Sequence, residues 1–441
     1  MLSAVNMDSF TAKSGAVLSE TDSRGLEPKS AYIHIPFCRR RCYYCDFPVS
    51  VVGDRLRGEN SGTIRQYIEV LCEEIAAAPP AKTKLDTIFF GGGTPSLLSV
   101  DQLRCLLEAL ERRFGIAEGA EISMEMDPGT FGLEHLQGYR QAGVNRVSLG
   151  VQAFQTELLQ ACGRTHTVAD IEGAVALLRQ VNLPSFSLDL ISGLPTQGIA
   201  DWQDSLERAI ALQPNHLSIY DLTIEPQTAF GRWYEPGAQP LPSDELTANM
   251  YRLAQRTLTA AGYEHYEISN YAKPGCQCRH NRTYWKNRPF YGFGMGAASY
   301  VQGQRFSRPR KTPEYKQWVK QFVAAGGQIN CPITSLAEKL LDQFMVGLRL
   351  AEGLDLRELA KEFGEDILAR LERCLTPYIQ KGWVTVVEVE GKCDRVNKAD
   401  LKSAPIETQL KSGEGSLKLT DPEGFLYSNV VLVTLFEEFS D

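Results

Sequence analysis

The feature that most constrains the fold is a regular alternation of short apolar runs and amphipathic stretches in the first half of the chain. Strands that alternate with helices predict βαβ units built around a parallel sheet. Periodicity leaves two architectures open, a doubly wound open sheet and a partial barrel. The predicted strands lie at 31–36, 85–90, 121–126, 146–151, 185–191 and 216–224, and clear helices lie at 100–114, 168–181 and 200–213.

The regular alternation of predicted strands and helices ends after the sixth unit. A long helix is predicted at 244–262, a strand at 263–272, and further helices at 336–350 and 365–382. A strand-like run, a polar stretch at 390–415 that reads as a loop or insertion, and an apolar last helix complete the chain. This pattern predicts a small winged-helix-like domain. Its last helix is apolar and acidic, which favours a packing or lid module over DNA binding.

Composition excludes several functions. The 441 residues carry a net charge of −8 with mixed signs, which argues against general binding to nucleic acid or a membrane surface. No run of about 18 apolar residues predicts a membrane span. Residues 1–29 are rich in Ser and Thr without a basic start or apolar run, so we expect a disordered extension rather than a secretory signal. A cytoplasmic location follows as an expectation.

Three cysteines cluster directly behind the first predicted strand, in the stretch FCRRRCYYCDF. Cys38, Cys42 and Cys45 could bind three irons of a [4Fe–4S] cluster from one loop and leave the fourth iron open. A zinc ion, which normally takes four ligands, is the alternative, with His34 or Asp46 as a fourth ligand. Most other cysteines are predicted to be small buried core residues: Cys72, Cys105, Cys162, Cys331 and Cys374.

Unusual residues follow one predicted strand after another. In parallel sheets and barrels the functional groups gather at the carboxyl ends of the strands. Any one of these residues could be a turn or cap, but their common placement predicts one composite site. They are GGGTPS at 91–96, Glu125 and Asp127, Gln152, Asp189, and Asp221 to Thr223.

The cysteine loop and the triple glycine together resemble the radical S-adenosylmethionine superfamily, over about residues 30–225. The resemblance implies a partial (β/α)6 barrel and a [4Fe–4S] cluster. It also implies that the open iron chelates S-adenosylmethionine, whose sulfonium is cleaved by one electron from the cluster. An electron donor for the cluster is implied as a partner.

Further motifs resemble the branch that contains oxygen-independent coproporphyrinogen III oxidase and the HemW-type haem chaperones. They are AYIHIPFC, EMDPGT, SLGVQAF, GRTH and LDLISGLP. Arg164 would pair with the methionine carboxylate, and Asp189 or Glu125 would accept from ribose hydroxyls or the ammonium group. By this resemblance the S-adenosylmethionine pocket is lined by Tyr32, Gly92, Gly93, Thr94, Glu125, Gln152, Arg164 and Asp189.

Two features separate these branches. The oxidase resembles this chain but has a further cysteine at the place of Phe47. The stretch HNRTYW resembles the H-N-x-x-Y-W signature of the haem chaperones. In that signature His280 could be an axial ligand, and Tyr284 and Trp285 could stack on a porphyrin. A capped turn with one packed Trp is the plainer interpretation. The implied haem-binding residues are His280, Asn281, Tyr284 and Trp285, with Cys276 and Cys278 as alternative ligands.

These inferences predict a haem chaperone that transfers haem to an acceptor haem protein, such as a respiratory one, and that is not primarily an enzyme. The alternative is a radical enzyme that oxidatively decarboxylates coproporphyrinogen propionates, and a third possibility is a zinc-stabilised binding module. The expected domains are the extension at 1–29, the radical S-adenosylmethionine core at 30–265, a connecting segment at 266–330 and a C-terminal helical domain at 331–441.

Overall fold

The computed structural model describes residues 27–387, 410 and 413–440. The predicted extension and the polar stretch at 390–415 therefore lie mostly outside the described residues. The strands are β1 (Ser30–Ile35), β2 (Phe37–Cys38), β3 (Ser50–Val51), β4 (Leu85–Gly92), β5 (Ile116–Met126), β6 (Arg146–Gln152), β7 (Ser185–Ser192), β8 (His216–Asp221), β9 (Glu264–Glu267), β10 (Asn270–Ala272), β11 (Tyr291–Phe293), β12 (Ala298–Val301), β13 (Gln304–Ser307), β14 (Leu354–Asp355), β15 (Val384–Val387) and β16 (Ser416–Leu419).

Helices connect most of these strands in the described part of the chain. Across the described residues, no helix combines the length and apolar character that a membrane crossing requires. The helices are α1 (Gly62–Ala77), α2 (Val100–Phe114), α3 (Leu133–Ala142), α4 (Thr156–Ala161), α5 (Val168–Gln180), α6 (Ile199–Ala211), α7 (Ala229–Trp233), α8 (Asp244–Ala260), α9 (Arg279–Trp285), α10 (Thr312–Ala324), α11 (Leu336–Gly347), α12 (Leu356–Phe363), α13 (Asp366–Gln380), α14 (Glu423–Leu426) and α15 (Ser428–Phe439).

The main sheet settles which parallel architecture the sequence adopts. Its central strands run in the order β1-β4-β5-β6-β7-β8, every neighbouring pair is parallel, and the order never reverses. With right-handed crossovers, such an order places all the connecting helices on one face of the sheet. A doubly wound sheet would need a reversal. The predicted partial (β/α)6 barrel is confirmed, and the carboxyl ends of its parallel strands meet at one edge, where a site can lie.

The helical layer forms because its sequences are amphipathic and well capped. In α2, the side chain of Ser99 accepts from the backbone of Gln102 and the Gln102 side chain bonds back to Ser99, which satisfies two terminal donors. Leu103, Leu106 and Leu110 lie on the buried face of this helix. The strands beneath are buried along almost their full length, as both faces of the sheet are covered. One continuous apolar core joins sheet and helices.

Residues beyond the sixth unit extend the sheet at both edges. β11 pairs in parallel with β1 at one edge, and β10 and β9 pair antiparallel beyond β8 at the other. The predicted strand at 263–272 is therefore two short strands. β11 was not predicted, since three residues are too few to show a period.

The C-terminal part forms a second unit with its own core. Helices α11, α12, α13 and α15 surround a three-stranded sheet of order β14-β16-β15, which agrees with the predicted winged-helix-like arrangement. Polar contacts attach it to α8 and β9. Arg252 donates to Glu423 over 2.7 Å, and the His265 ring lies 2.8 Å from Asp421.

Candidate functional site

A cavity opens at the carboxyl ends of the parallel strands, where the composite site was predicted. Its wall combines the cysteine loop, the glycine-rich turn after β4 and the ends of β5 to β8. Of the eight residues predicted for the S-adenosylmethionine pocket, seven line this cavity: Gly92, Gly93, Thr94, Glu125, Gln152, Arg164 and Asp189. All three clustered cysteines line it as well: Cys38, Cys42 and Cys45.

Backbone contacts hold the cysteine loop in place. The amide of Val52 donates to Cys38, and the amide of Tyr43 donates to Cys162, over 2.9 and 3.1 Å. The three thiols are free. Burial raises the pKa of the Cys45 thiol to about 11, and it also raises the pKa of Cys38.

A metal ion and an iron–sulfur cluster each require a different arrangement of thiols. Within the described residues, no group of three His, Cys, Asp or Glu side chains is placed to hold one metal ion. A [4Fe–4S] cluster makes a different demand, because each thiolate binds a different iron. Three thiols on one loop that all face one cavity fit that demand.

The turn after β4 packs tightly against this loop, and glycine makes the packing possible. A Cβ on Gly93 would lie 2.7 Å from the Phe37 carbonyl oxygen and 2.9 Å from the Cys38 sulfur. Gly92 has a φ of 115°, and a Cβ there would meet the His34 ring. Small residues therefore set how closely β4 approaches the cysteines.

Two carboxylates lie deeper in the cavity wall. Glu125 accepts from the Gly92 amide over 2.9 Å, and burial raises its pKa to about 7, with the nearby charge of Asp189 adding to the effect. Asp189 accepts from the Ser148 hydroxyl over 2.9 Å, and burial raises its pKa too. Both groups are acceptors poised to receive hydroxyl or ammonium donors.

Arg164 has partners of its own. Its Nη2 donates to Asp127 and to the Gly150 carbonyl, over 2.5 and 2.9 Å, and its Nη1 lies 3.6 Å from the Cys42 sulfur. The predicted pairing with a ligand carboxylate would therefore have to be shared with Asp127. Sequence reasoning placed Asp127 at a strand end but not in the binding set, because the contact depends on how the loop between α4 and α5 packs against the end of β5.

Gln152 and Tyr32 differ in how they relate to the cavity. Gln152 ends β6 with a φ of 70°, an uncommon conformation for a residue with a side chain, next to a register shift between β6 and β7. Its side chain lines the cavity. Tyr32 does not line it. The Tyr32 hydroxyl lies 3.0 Å from His34 Nδ1, and its ring stacks on Phe89.

Several cavity residues were missed by sequence reasoning. Tyr44 lies between Cys42 and Cys45 in the loop itself, and Tyr220 is the second-last residue of β8. Arg310 comes from the far segment after β13 and donates to the backbone and carboxylate of Asp46, over 2.6 and 3.2 Å. Aromatic character could have indicated Tyr44. Nothing in the sequence links position 310 to the cysteine loop.

The haem-chaperone motif lies apart from the cavity lining, on α9. His280 is only 1% exposed. Its Nδ1 lies 2.8 Å from the Thr87 hydroxyl, its Nε2 lies 2.7 Å from the Tyr284 hydroxyl, and its ring stacks on Phe89. Burial, with the charge of Arg146, lowers its pKa to about 3. Both ring nitrogens are thus engaged inside the protein, as in the plainer interpretation.

The other motif residues follow the same helix. Trp285 is buried, and Asn281 and Tyr284 are partly exposed. The Tyr284 ring packs edge-on against Phe290. The motif therefore joins α9 to β4 and to the segment before β11.

A different surface presents aromatic rings to solvent. In the described part of the chain, the two exposed aromatic side chains are Tyr43, at 37%, and Trp233, at 54%. Their ring centroids are 4.8 Å apart. The Phe230 amide donates to the Tyr43 carbonyl over 2.9 Å, which ties α7 to the cysteine loop.

The half-barrel and its cysteine loop define the class of the protein. Residues 32–209 match the family model of the Radical SAM superfamily, and residues 334–388 match the HemN C-terminal domain. A solved structure described as the Escherichia coli coproporphyrinogen III oxidase (HemN), a radical SAM enzyme, is similar with a TM-score of 0.73 and 23% identity, covering 93% of this chain and 90% of that one. At that identity the likeness shows the fold alone.

Relatives refine the assignment. The heme chaperone HemW of Synechocystis sp. is 46% identical over 411 residues, which is 93% of this chain and 97% of that protein. HemW of Bacillus subtilis is 33% identical, covering 81% of this chain and 92% of that protein. HemW of Escherichia coli is 43% identical, covering 62% and 70%. The chain belongs to the heme chaperone HemW family.

Proposed function

We propose that this protein binds haem and transfers it to an acceptor protein in the cytoplasm. The observation that carries the proposal is the identity of 46% along 93% of the chain to a protein named as a heme chaperone. The likeness to the oxidase concerns the fold. Phe47, in the place of the further cysteine expected of an oxidase, lies in the cavity wall and supports the same choice.

We further propose that the cavity holds a [4Fe–4S] cluster on Cys38, Cys42 and Cys45 and S-adenosylmethionine beside it. When bound, the cluster would supply the electron for cleavage of the sulfonium. The residues that would hold the ligand contribute backbone access at Gly92 and Gly93, the acceptors Glu125, Gln152 and Asp189, and the donors Thr94 and Arg164, with Tyr32 supporting from behind.

The guanidinium of Arg164 is held in place before a ligand binds, and one of its sides remains for the ligand. It lies 8% exposed and bonded to Asp127, so its guanidinium is fixed before a ligand arrives. A ligand carboxylate would approach the side of the guanidinium that faces Cys42, where Nη1 has the longest of its contacts. Fixed donors reduce the entropy lost on binding.

For haem itself, we propose contact with the surface formed by Tyr43 and Trp233, here called the aromatic surface. A porphyrin is flat and apolar, and stacking on exposed rings recovers the free energy of covering them. Arg232 is exposed beside Trp233 and could pair with a propionate. His280 would serve as an axial ligand only after losing its bonds to Thr87 and Tyr284.

The alternative function is oxidative decarboxylation of coproporphyrinogen III by a radical mechanism. The two functions predict different results for the same protein sample. Protein purified without oxygen and reconstituted with iron and sulfide should bind haem saturably and leave coproporphyrinogen III unchanged on reduction. A true oxidase is assayed alongside. Turnover of coproporphyrinogen III by this protein at a comparable rate would overturn the haem-carrier proposal in favour of the enzyme.

The partners are proposed on chemical grounds. A bound cluster needs a one-electron donor, and a haem carrier needs a haem protein as its acceptor. We propose a respiratory haem protein as the first acceptor to test.

A further inference from the structure

Two cysteines outside the cavity lie in contact on the helical layer. Cys72 is on α1 and Cys105 is on α2, and their sulfur atoms are 3.5 Å apart. The sequence predicted that both are buried core residues. That prediction is wrong for Cys105, which is exposed, and Cys72 is only partly covered. Neither residue lines the cavity.

We propose that Cys72 and Cys105 form a reversible disulfide with a small oxidised thiol such as oxidised glutathione. The Cys105 thiolate attacks one sulfur of the small disulfide and releases one reduced thiol, which leaves a mixed disulfide on Cys105. The Cys72 thiolate then attacks the Cys105 sulfur and releases the second reduced thiol. The protein loses two electrons and two protons, and the small disulfide gains them.

The geometry fits this closure. A disulfide needs its sulfurs about 2.05 Å apart, so these two must move about 1.5 Å closer. Cys72 and Cys105 sit on helices that pack against each other, so small side-chain rotations can supply that movement. Two thiols already in contact need no segment of the chain to unfold.

Exposure assigns the two roles. Cys105 can meet a small disulfide from solvent, whereas Cys72 is partly enclosed. Burial is the largest cause that raises the pKa of the Cys72 thiol, and it still acts once Cys105 carries the mixed disulfide. A thiol that is rarely ionised attacks slowly, so the mixed disulfide on Cys105 should accumulate before the ring closes.

The test uses the full-length protein treated with oxidised glutathione, trapped with acid, alkylated and digested for mass spectrometry. We expect a peptide linking Cys72 to Cys105, preceded by glutathione on Cys105, and its complete reversal by dithiothreitol. Cys72→Ser should stop at the glutathione adduct on Cys105, and Cys105→Ser should give neither product. Cys374→Ser, a partly buried cysteine on α13, is the matched control and should form the link as the native chain does.

Thermal unfolding distinguishes a disulfide between Cys72 and Cys105 from separate modification of the two thiols. The disulfide joins α1 to α2 and closes a loop of about 33 residues, so the oxidised protein should melt a few degrees higher than the reduced one. Cys72→Ser should show no such shift. Free Cys72 and Cys105 after prolonged oxidation, in a protein that melts normally, would overturn the proposal.

Discussion

Glu125 carries its carboxyl group into the cavity wall, where burial raises its pKa from 4.5 to about 7. The folded protein therefore keeps a proton on this group at pH values where the unfolded chain has lost it. The resulting stabilisation is present in full below pH 4.5 and is lost as the pH rises through 7. The shift corresponds to at most about 3 kcal/mol.

The native chain is compared with Glu125→Gln, whose amide cannot ionise. As the pH rises from 4.5 to 8, the free energy of unfolding of the native chain should fall relative to that of Glu125→Gln, by up to about 3 kcal/mol. Urea unfolding of the ligand-free proteins at several pH values measures this difference. A difference that does not change with pH would show that Glu125 ionises normally.

His280 supplies a second residue-scale prediction. His280→Ala removes a buried ring and leaves the Thr87 and Tyr284 hydroxyls without their partner, so unfolding should become easier by about 2–4 kcal/mol. The haem Soret band should keep its position, because the imidazole is engaged inside the protein. Thermal unfolding beside a haem titration measures both effects.

The control for that experiment is His135→Ala. The His135 ring is partly exposed and lies 3.0 Å from Glu59, and such surface pairs contribute about 1 kcal/mol or less. A folded His280→Ala protein with a shifted Soret band would return the axial-ligand role to His280.

Sequence reasoning reached individual residues where spacing or local chemistry carried the information. The cysteine spacing, the triple glycine and the strand-end acids all fall on one cavity, as expected. The partner of Arg164 did not follow from the sequence, because Asp127 approaches it only once the loop between α4 and α5 is packed against the end of β5. For His280, chemistry suggested a metal ligand, which stays a prediction, and the structure shows two internal partners for the buried ring that the sequence did not indicate.

At the scale of elements, the turn after β4 is the feature that most tightly constrains the cysteine loop. Gly93→Ala would place a methyl group 2.7 Å from the Phe37 carbonyl oxygen and 2.9 Å from the Cys38 sulfur. We expect the loop to shift and the reconstituted iron content to fall to less than half of the native value. Gly173→Ala is the matched control.

Gly173 lies inside α5, with nothing within 4 Å of an added Cβ. Alanine there should stabilise the helix by about 0.5–1 kcal/mol and leave the iron content unchanged. Iron and sulfide assays on Gly93→Ala and Gly173→Ala, prepared in parallel, measure the effect of each substitution on the cluster. Native iron content in Gly93→Ala would show that the loop tolerates a wider turn.

The aromatic surface on α7 and the cysteine loop gives another prediction at this scale. Trp233→Ala should weaken haem binding roughly fivefold, because one stacking ring contributes about 1 kcal/mol. Its folding stability should barely change, since the ring is more than half exposed. Val323→Ala, an exposed apolar residue on α10, should leave haem affinity unchanged. Equal affinities for the native chain and Trp233→Ala would remove the aromatic surface from the haem site.

Across the whole molecule, the alternation of strands and helices predicted the sheet, and the strand order then selected the half-barrel. The sequence could not choose between the two parallel architectures, because strand order is a property of the assembled sheet. It also could not show that β11 returns to pair with β1. Long-range pairings of this kind depend on packing between distant segments rather than on a local period.

The central claim is that this half-barrel carries haem. The measurement that tests it most directly is a titration of haem into the anaerobically reconstituted, full-length protein, followed by the Soret band. We predict saturation at one haem per chain, with the iron and sulfide of the cluster retained in the same sample. Absence of saturable haem binding by a protein that holds its cluster and converts coproporphyrinogen III would contradict the claim.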